Sequence, residues 1–222
     1  MRIADHVVVR ADFARAVECG YPSTTFSAMI LPENECQAVI DTTRAWVDKA
    51  VIGLNLCPFA KAVQVKGQVR YAVSDAADVD TLYQDLLAEL ELLAGTDPAD
   101  VDTCLLIHPQ VLENFLDYND FLDVAEACLE ELELLGVLQI ASFHPDYQFA
   151  DAAPDDIENY TNRSPYPILH LLREDSIERA VAALPDAADI YEKNMATLRQ
   201  LGLEGWEKLG LRGAKIGNST KT

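Results

Sequence analysis

Two stretches of the chain each read as a strand that runs straight into His-Pro. They are Val101-Asp-Thr-Cys-Leu-Leu-Ile-His108-Pro109 and Val137-Leu-Gln-Ile-Ala-Ser-Phe-His144-Pro145. A residue before proline is held toward extended backbone, so each imidazole sits where an apolar run ends. Parallel neighbouring strands would place both on one rim of a sheet, where open α/β sheets put their ligands. A third histidine, His170, lies in the short apolar run Ile168-Leu-His-Leu-Leu172. Imidazoles from three strands are the raw material of a facial metal site for zinc, iron or copper, with Cys57 or Asp146 as a further ligand. The spacings H-x-H and H-x-x-x-H are absent, so a divalent metal ion is a candidate cofactor on placement alone.

Cys57 opens a second unusual stretch, Leu54-Asn-Leu-Cys57-Pro58-Phe59-Ala60. Proline favours the first position of a helix, which makes Cys57 an N-cap candidate. Unpaired N–H groups there would lower its pKa and sharpen it as a nucleophile or ligand. His144 could then be its base, with Asp146 orienting the ring. A buried structural cysteine beside a helix-stopping proline is the plainer reading.

The densest polar segment runs from Ser142 to Glu174. It contains His144, Tyr147, Asn159, Tyr160, Asn162, Arg163, Tyr166, His170 and Arg173, stiffened by Pro145, Pro165 and Pro167. A long loop inside a compact domain is usually functional or disordered, and the aromatic content argues against disorder; the alternative is a polar loop held in place by its own hydrogen bonds. The catalytic candidates are Cys57, His108, His144, Tyr147 and His170. The substrate-binding candidates are Asn159, Asn162, Arg163, Tyr166 and Arg173. A guanidinium fork suits a carboxylate or phosphate, so the expected partner is a small anionic molecule. The alternative for Arg173 is an ion pair with Glu174 or Asp175.

The elements that must position these groups follow from periodicity. A helix starting near Glu35 has two apolar stripes, Val39, Thr43, Trp46, Ala50 and Ile40, Val47, Val51, Leu54, which marks it as deeply buried. A strand over 68–74 precedes a helix with Val79, Leu82, Leu86, Leu90 and Leu93 at helical spacing, capped by Asp78 and stopped by Gly95. Another helix carries Phe121, Val124, Ala125, Cys128, Leu132 and Leu135, closing at Gly136. A fourth strand is expected over 167–173, with helices over 176–184 and 187–201. The order strand, helix, strand, helix, strand predicts a single α/β domain with a mainly parallel sheet of about four strands flanked by helices. The boundaries expected are an N-terminal extension over 1–35, the domain over 36–204 and a flexible tail over 205–222.

The chain has 222 residues, half of them hydrophobic, with a net charge of -20 and a pI near 4.3. That charge repels nucleic acid and anionic lipid. No apolar run reaches the roughly 18 residues of a membrane span. The start, broken by Asp5, His6 and Arg10, is a poor signal peptide. The expected location is cytoplasmic, with no nucleic-acid or membrane partner. Five cysteines without C-x-x-C argue against a disulfide framework or zinc knuckle. Walker, G-x-G-x-x-G, G-x-S-x-G and H-E-x-x-H motifs are absent, which removes support for the nucleotide, dinucleotide and peptidase chemistries they carry.

Several of these blocks resemble one family, catalogued as domain of unknown function 1415. They are Trp46 through Ala60, Leu106-Ile-His-Pro109, Asp117-Tyr-Asn119, Gln139 through Ala150 and Asn159 through Glu174. The resemblance covers roughly residues 38–202. It implies that Cys57, His108, His144, Arg163 and His170 belong to the family pattern, and brings no activity or catalytic residue with it. The reading is a small-molecule enzyme of unassigned reaction with a His/Cys/Arg site at the strand ends. The alternative is a non-catalytic binding or regulatory module that presents Tyr147, Tyr160 and Tyr166 on the loop 144–174.

Overall fold

The computed structural model describes residues 31–183 and 189–216. Most of the expected extension over 1–35, and the end of the chain after residue 216, lie outside the described residues. The first helix, α1 (Glu33–Trp46), runs without a break into a π-helical turn over Val47–Ile52. Val39, Thr43, Trp46 and Ala50 are buried on one stripe and Ile40 and Val47 on the other, as the double periodicity requires. At Gly53 a Cβ would lie 2.2 Å from the Lys49 carbonyl oxygen, so only glycine lets the chain leave the widened turn this way. Then come α2 (Ala60–Val65) and β1 (Val69–Val73).

The next helix, α3 (Val79–Gly95), begins where the Asp78 side chain accepts the Thr81 N–H at 2.8 Å. Its stripe of Leu82, Leu86, Leu90 and Leu93 is fully buried. After β2 (Thr103–Ile107), α4 (Phe115–Glu131) starts at Asn114, whose side chain accepts the Leu116 N–H at 2.9 Å. It buries Tyr118, Phe121, Ala125, Cys128 and Leu129. Val124 and Leu135, expected on that stripe, are exposed. Then follow β3 (Leu138–Phe143), a 3-10 turn over Ile157–Thr161, β4 (Ile168–Arg173), α5 (Glu174–Ala182) and α6 (Ile190–Glu207). No described helix is long and apolar enough to cross a membrane.

The four strands form one sheet in the order β1-β2-β4-β3. Only β1 and β2 pair in parallel; β4 is antiparallel to both β2 and β3. The mainly parallel sheet expected from sequence is corrected to a mixed, mostly antiparallel one. The physical reason lies in the link between β3 and β4. It holds a 3-10 turn and no α-helix of the kind that usually carries a crossover, and it returns the chain along its neighbour. β2 and β3 still point the same way, one strand apart, so His108 and His144 do share a rim.

The sheet separates two cores. On one face Ala72, Cys104, Leu106, Leu138, Leu169 and Leu171 pack against α3 and α4. On the other, Tyr71, Leu105, Ile107 and Ile168 pack against α1 and the π-helical turn. The C-terminal part departs from the frayed tail expected from Gly205. α6 kinks at Gly202, where φ is 65°, yet continues to Glu207. Leu211 is buried, the Ala214 N–H donates to the Tyr166 hydroxyl at 3.2 Å, and the chain passes so close that a Cβ on Gly213 would sit 2.3 Å from the Pro165 carbonyl oxygen.

Candidate functional site

Hydrogen-bond geometry fixes the tautomer of each of the three histidines in the fold, because a backbone carbonyl can only accept. His108 is fully buried, with Nδ1 at 3.0 Å from the Val111 carbonyl. Nδ1 therefore carries the proton. Nε2 keeps a lone pair with no partner among the described residues. His144 places Nε2 at 3.1 Å from the carbonyl of Leu112, a residue held at φ 59°. Its Nδ1 accepts the Asp146 backbone N–H at 3.0 Å. Both its nitrogens are used, and its ring packs on Phe115 and Tyr118. These two histidines lock the loops that follow β2 and β3.

His170 is elsewhere. It lies between Leu169 and Leu171, which belong to the α3 and α4 core, so its side chain is on the opposite face of the sheet. There Nε2 is 2.7 Å from Thr103 Oγ1. The facial metal site expected from His108, His144 and His170 is therefore not assembled: the sheet itself stands between the third donor and the other two. Among the described residues no group of three or more His, Cys, Asp or Glu side chains is placed to hold a metal ion.

Burial holds all three imidazoles neutral. It takes His108 and His170 down to about 4 and lowers His144 as well. The unfolded chain would protonate near 6.5. It thus binds protons that the folded chain refuses, so the stability carried by the neutral rings is full above about 6.5 and falls as the pH drops toward about 4. A His108→Asn variant keeps a donor for Val111 but cannot titrate. Its unfolding midpoint should fall less than that of the wild type across this window. Carboxylate protonation acts on both proteins alike, so equal slopes would refute the burial account.

Cys57 meets the backbone N–H groups of Phe59 and Ala60, as its placement before a helix suggested. Burial nevertheless outweighs them and pushes the thiol up, which corrects the expected activation. Nor does it approach the His144 loop. It lines a cavity on the His170 face of the sheet, so the arrangement of Cys57, His144 and Asp146 is not formed.

The remaining candidates build the loop between β3 and β4. Asn159 is fully buried; its carbonyl oxygen accepts the Phe149 N–H at 3.0 Å and its amide donates to the Ala153 carbonyl at 2.7 Å. Asn162 donates to the Ser142 carbonyl at 3.1 Å. Arg163 donates to the carbonyls of Tyr147 at 3.2 Å and Pro154 at 2.6 Å, and lies over the Tyr160 ring. Tyr147 packs on Phe115 and Phe149, and Tyr166 is buried. The two asparagines and Arg163 each meet a backbone group that a buried loop would otherwise leave bare. The three tyrosines do not form one exposed flat surface. Arg173 is at the far end of β4, where one terminal nitrogen donates to the carbonyls of Leu93, Thr96 and Val101 at 2.5, 2.6 and 3.2 Å. It closes the C-terminus of α3 and pairs with neither Glu174 nor Asp175.

What the strand ends do not form, the open face of the sheet does. α1 and the π-helical turn cover β1 and part of β2, while α5 stands beside β4. Between them is a cavity of about 530 Å³. Its floor is Leu105, His170, Leu172, Ala141 and Phe143; its walls include Trp46, Val51, Cys57, Phe59 and Ile177. Trp46 is fixed by its Nε1–H, which donates to the Arg163 carbonyl at 3.0 Å, and by edge contact with Phe143. Sequence reading missed this cavity because it is a gap between elements distant in the chain. The one available signal was two chemistry-bearing residues, Cys57 and His170, each set in apolar surroundings. A second cavity, of about 720 Å³, is polar and lies between the loop after His144 and the C-terminal segment. Arg163 and Arg212 line it beside Asp146 and Glu207, and Arg212 pairs with Glu207 at 3.5 Å, so the carboxylates offset its positive charge.

Fold and cavity together define a small α/β domain built on one mixed sheet, with an apolar chamber on one face and hydrogen-bonded loops along the rim. The chain belongs to the family described as a protein of unknown function, DUF1415, whose model matches residues 38–208. That span includes Cys57, the three histidines, both loops and all of α6. No curated protein and no solved structure matches the chain.

Proposed function

We propose that this domain binds a small, largely apolar molecule in the cavity between the sheet, α1, α2 and α5. The observation that carries the reading is the wall itself: aromatic and aliphatic side chains enclosing a few polar groups, the usual make-up of a small-molecule site. Cys57 and His170 are the groups on that wall able to do chemistry. This moves the expected small-molecule site from the strand ends to the sheet face and removes the arginines from it. The occupant that fits is accordingly apolar and not the small anion first expected, because Arg173, the cation on this wall, turns a terminal nitrogen to three carbonyls and buries its Nε–H away from solvent.

Trp46 reports on the cavity directly. In a Trp206→Phe background, titrating an apolar fluorescent probe into the full-length protein should change Trp46 emission in a saturable way. Ala141→Phe, which fills the floor, should weaken binding at least tenfold while leaving the thermal midpoint near that of the parent. Absence of saturable binding by the full chain would refute the reading. Cys57 gives an independent readout. Its thiol should alkylate slowly at neutral pH, because burial keeps it protonated, and more slowly still when the probe is bound. Fast labelling that the probe leaves unchanged would put Cys57 outside the ligand's reach.

A further inference from the structure

The cavity reading says where a ligand sits; the proton inventory of its wall says what the ligand must carry. Thr103 Oγ1 lies 2.7 Å from the Leu171 carbonyl and 2.7 Å from His170 Nε2. The carbonyl can only accept, so the single hydroxyl proton goes to Leu171. Oγ1 then turns a lone pair toward the ring, and His170 Nε2 must carry the proton that completes the second bond. Nδ1 is left with its lone pair. No described residue engages it, and it is not among the buried atoms sealed away from solvent without a partner. The ring lines the cavity.

Two other polar side chains of the wall are turned to protein partners. The Ser176 hydroxyl donates to Asp102 at 2.6 Å. Arg173 gives one terminal nitrogen to carbonyls at the end of α3, and its Nε–H, which has no partner among the described residues, is sealed from solvent. Apart from the weak S–H of Cys57 and the rest of the Arg173 guanidinium, the side chains of the chamber offer acceptors, and among the described residues the His170 lone pair is the one that faces it without a partner. We propose that the His170 Nδ1 lone pair is the recognition element of the cavity, and that the ligand is a neutral amphiphile: an apolar body with one hydroxyl or amide N–H that donates to Nδ1. A carboxylate would set an anion against that lone pair, and a ketone or ether has no proton to give it. Burial, which keeps the imidazole neutral down to about 4, preserves the acceptor throughout the physiological range.

This inference rests on the cavity reading, and the two fail differently. The full-length protein is titrated with decan-1-ol, with an ether of equal chain length, and with decanoate, following Trp46 emission in the Trp206→Phe background. The alcohol should bind up to about tenfold tighter than the ether, the range expected for one net hydrogen bond in a dry site, and decanoate should bind weakest. His170→Phe should bring the alcohol-to-ether ratio to about one while the ether still binds. Thr103→Val should erode the ratio too, because it releases the proton held on Nε2. Equal binding of alcohol and ether by the wild type, or tightest binding of decanoate, would overturn the inference and leave the cavity standing. No binding of any of the three would overturn both. The tautomer is checked without a variant from the imidazole 15N shifts of the wild type. A proton found on Nδ1 would overturn the proposal whatever the titrations give.

Discussion

Replacing Arg173 by methionine should lower the free energy of unfolding by about 3 kcal/mol, since each charge-assisted bond contributes about 1.5–3 kcal/mol and buried acceptors left bare cost more than bonds gained. One guanidinium nitrogen holds the carbonyls of Leu93, Thr96 and Val101, the last turn of α3 and the chain that leads into β2. Leu93 and Thr96 lie at the C-terminus of α3, where helix carbonyls need partners from outside the helix, and Val101 lies in the link that follows. Methionine matches the stem but supplies no donor. Arg173→Lys should recover less than half of the loss, because the ammonium carries three donors but sits one bond short of the terminal nitrogen that reaches the three carbonyls. Urea unfolding measures both variants. A loss below about 1 kcal/mol for methionine would mean that water rescues the carbonyls at less than the usual desolvation cost, and that Arg173 is not the closing device described above.

Tyr118→Phe should cost about 2–4 kcal/mol, because it strips two buried backbone groups of their partner at about 1–3 kcal/mol each. The Tyr118 hydroxyl donates to the Ile168 carbonyl at 2.8 Å and accepts the Phe143 N–H at 3.1 Å. Phe143 and Ile168 face each other as the last register pair of β3 and β4. A phenol oxygen from α4 is thus inserted where the two strands would otherwise bond directly. Its ring is fully buried between His108 and His144, so the same side chain spaces both rim loops. Amide exchange at Phe143 should accelerate in the variant. Unchanged stability with unchanged exchange would show that the strands close on each other once the hydroxyl is gone.

Helix α3 was fully legible in sequence, from the Asp78 cap to the apolar stripe, because its signals are local. All four strands were found within a few residues for the same reason. The direction of β4 was not, although a clue was available: the stretch from His144 to Pro167 contains no helix long enough to cross a sheet. The rim residues stand out in sequence, but their types leave two roles open. His144, Asn159, Asn162 and Arg163 look like a binding site because the same donors and acceptors that hold a ligand also hold a long loop in place. A residue type cannot say which of the two it meets. Burial reversed the thiol expectation at Cys57, since desolvation there exceeds what two N–H groups return. The cavity was out of reach because Cys57 and His170 are more than a hundred positions apart in the chain.

The strand order also dictates a sequence of events during synthesis. β3 has one sheet neighbour, and that neighbour is β4. While the ribosome is still adding residues before 168, β1 and β2 can pair, but β3 has nothing to pair with and exposes an apolar edge. The loop carrying His144 and the floor of the cavity both wait for the same late strand. Closure is then a long-range event, of the kind that slows folding and leaves unpaired edges open to association in the meantime. A chain ending before residue 173 should therefore emerge as a half-sheet that aggregates, and the cavity should come into being only when the last strand slides between two that are already made.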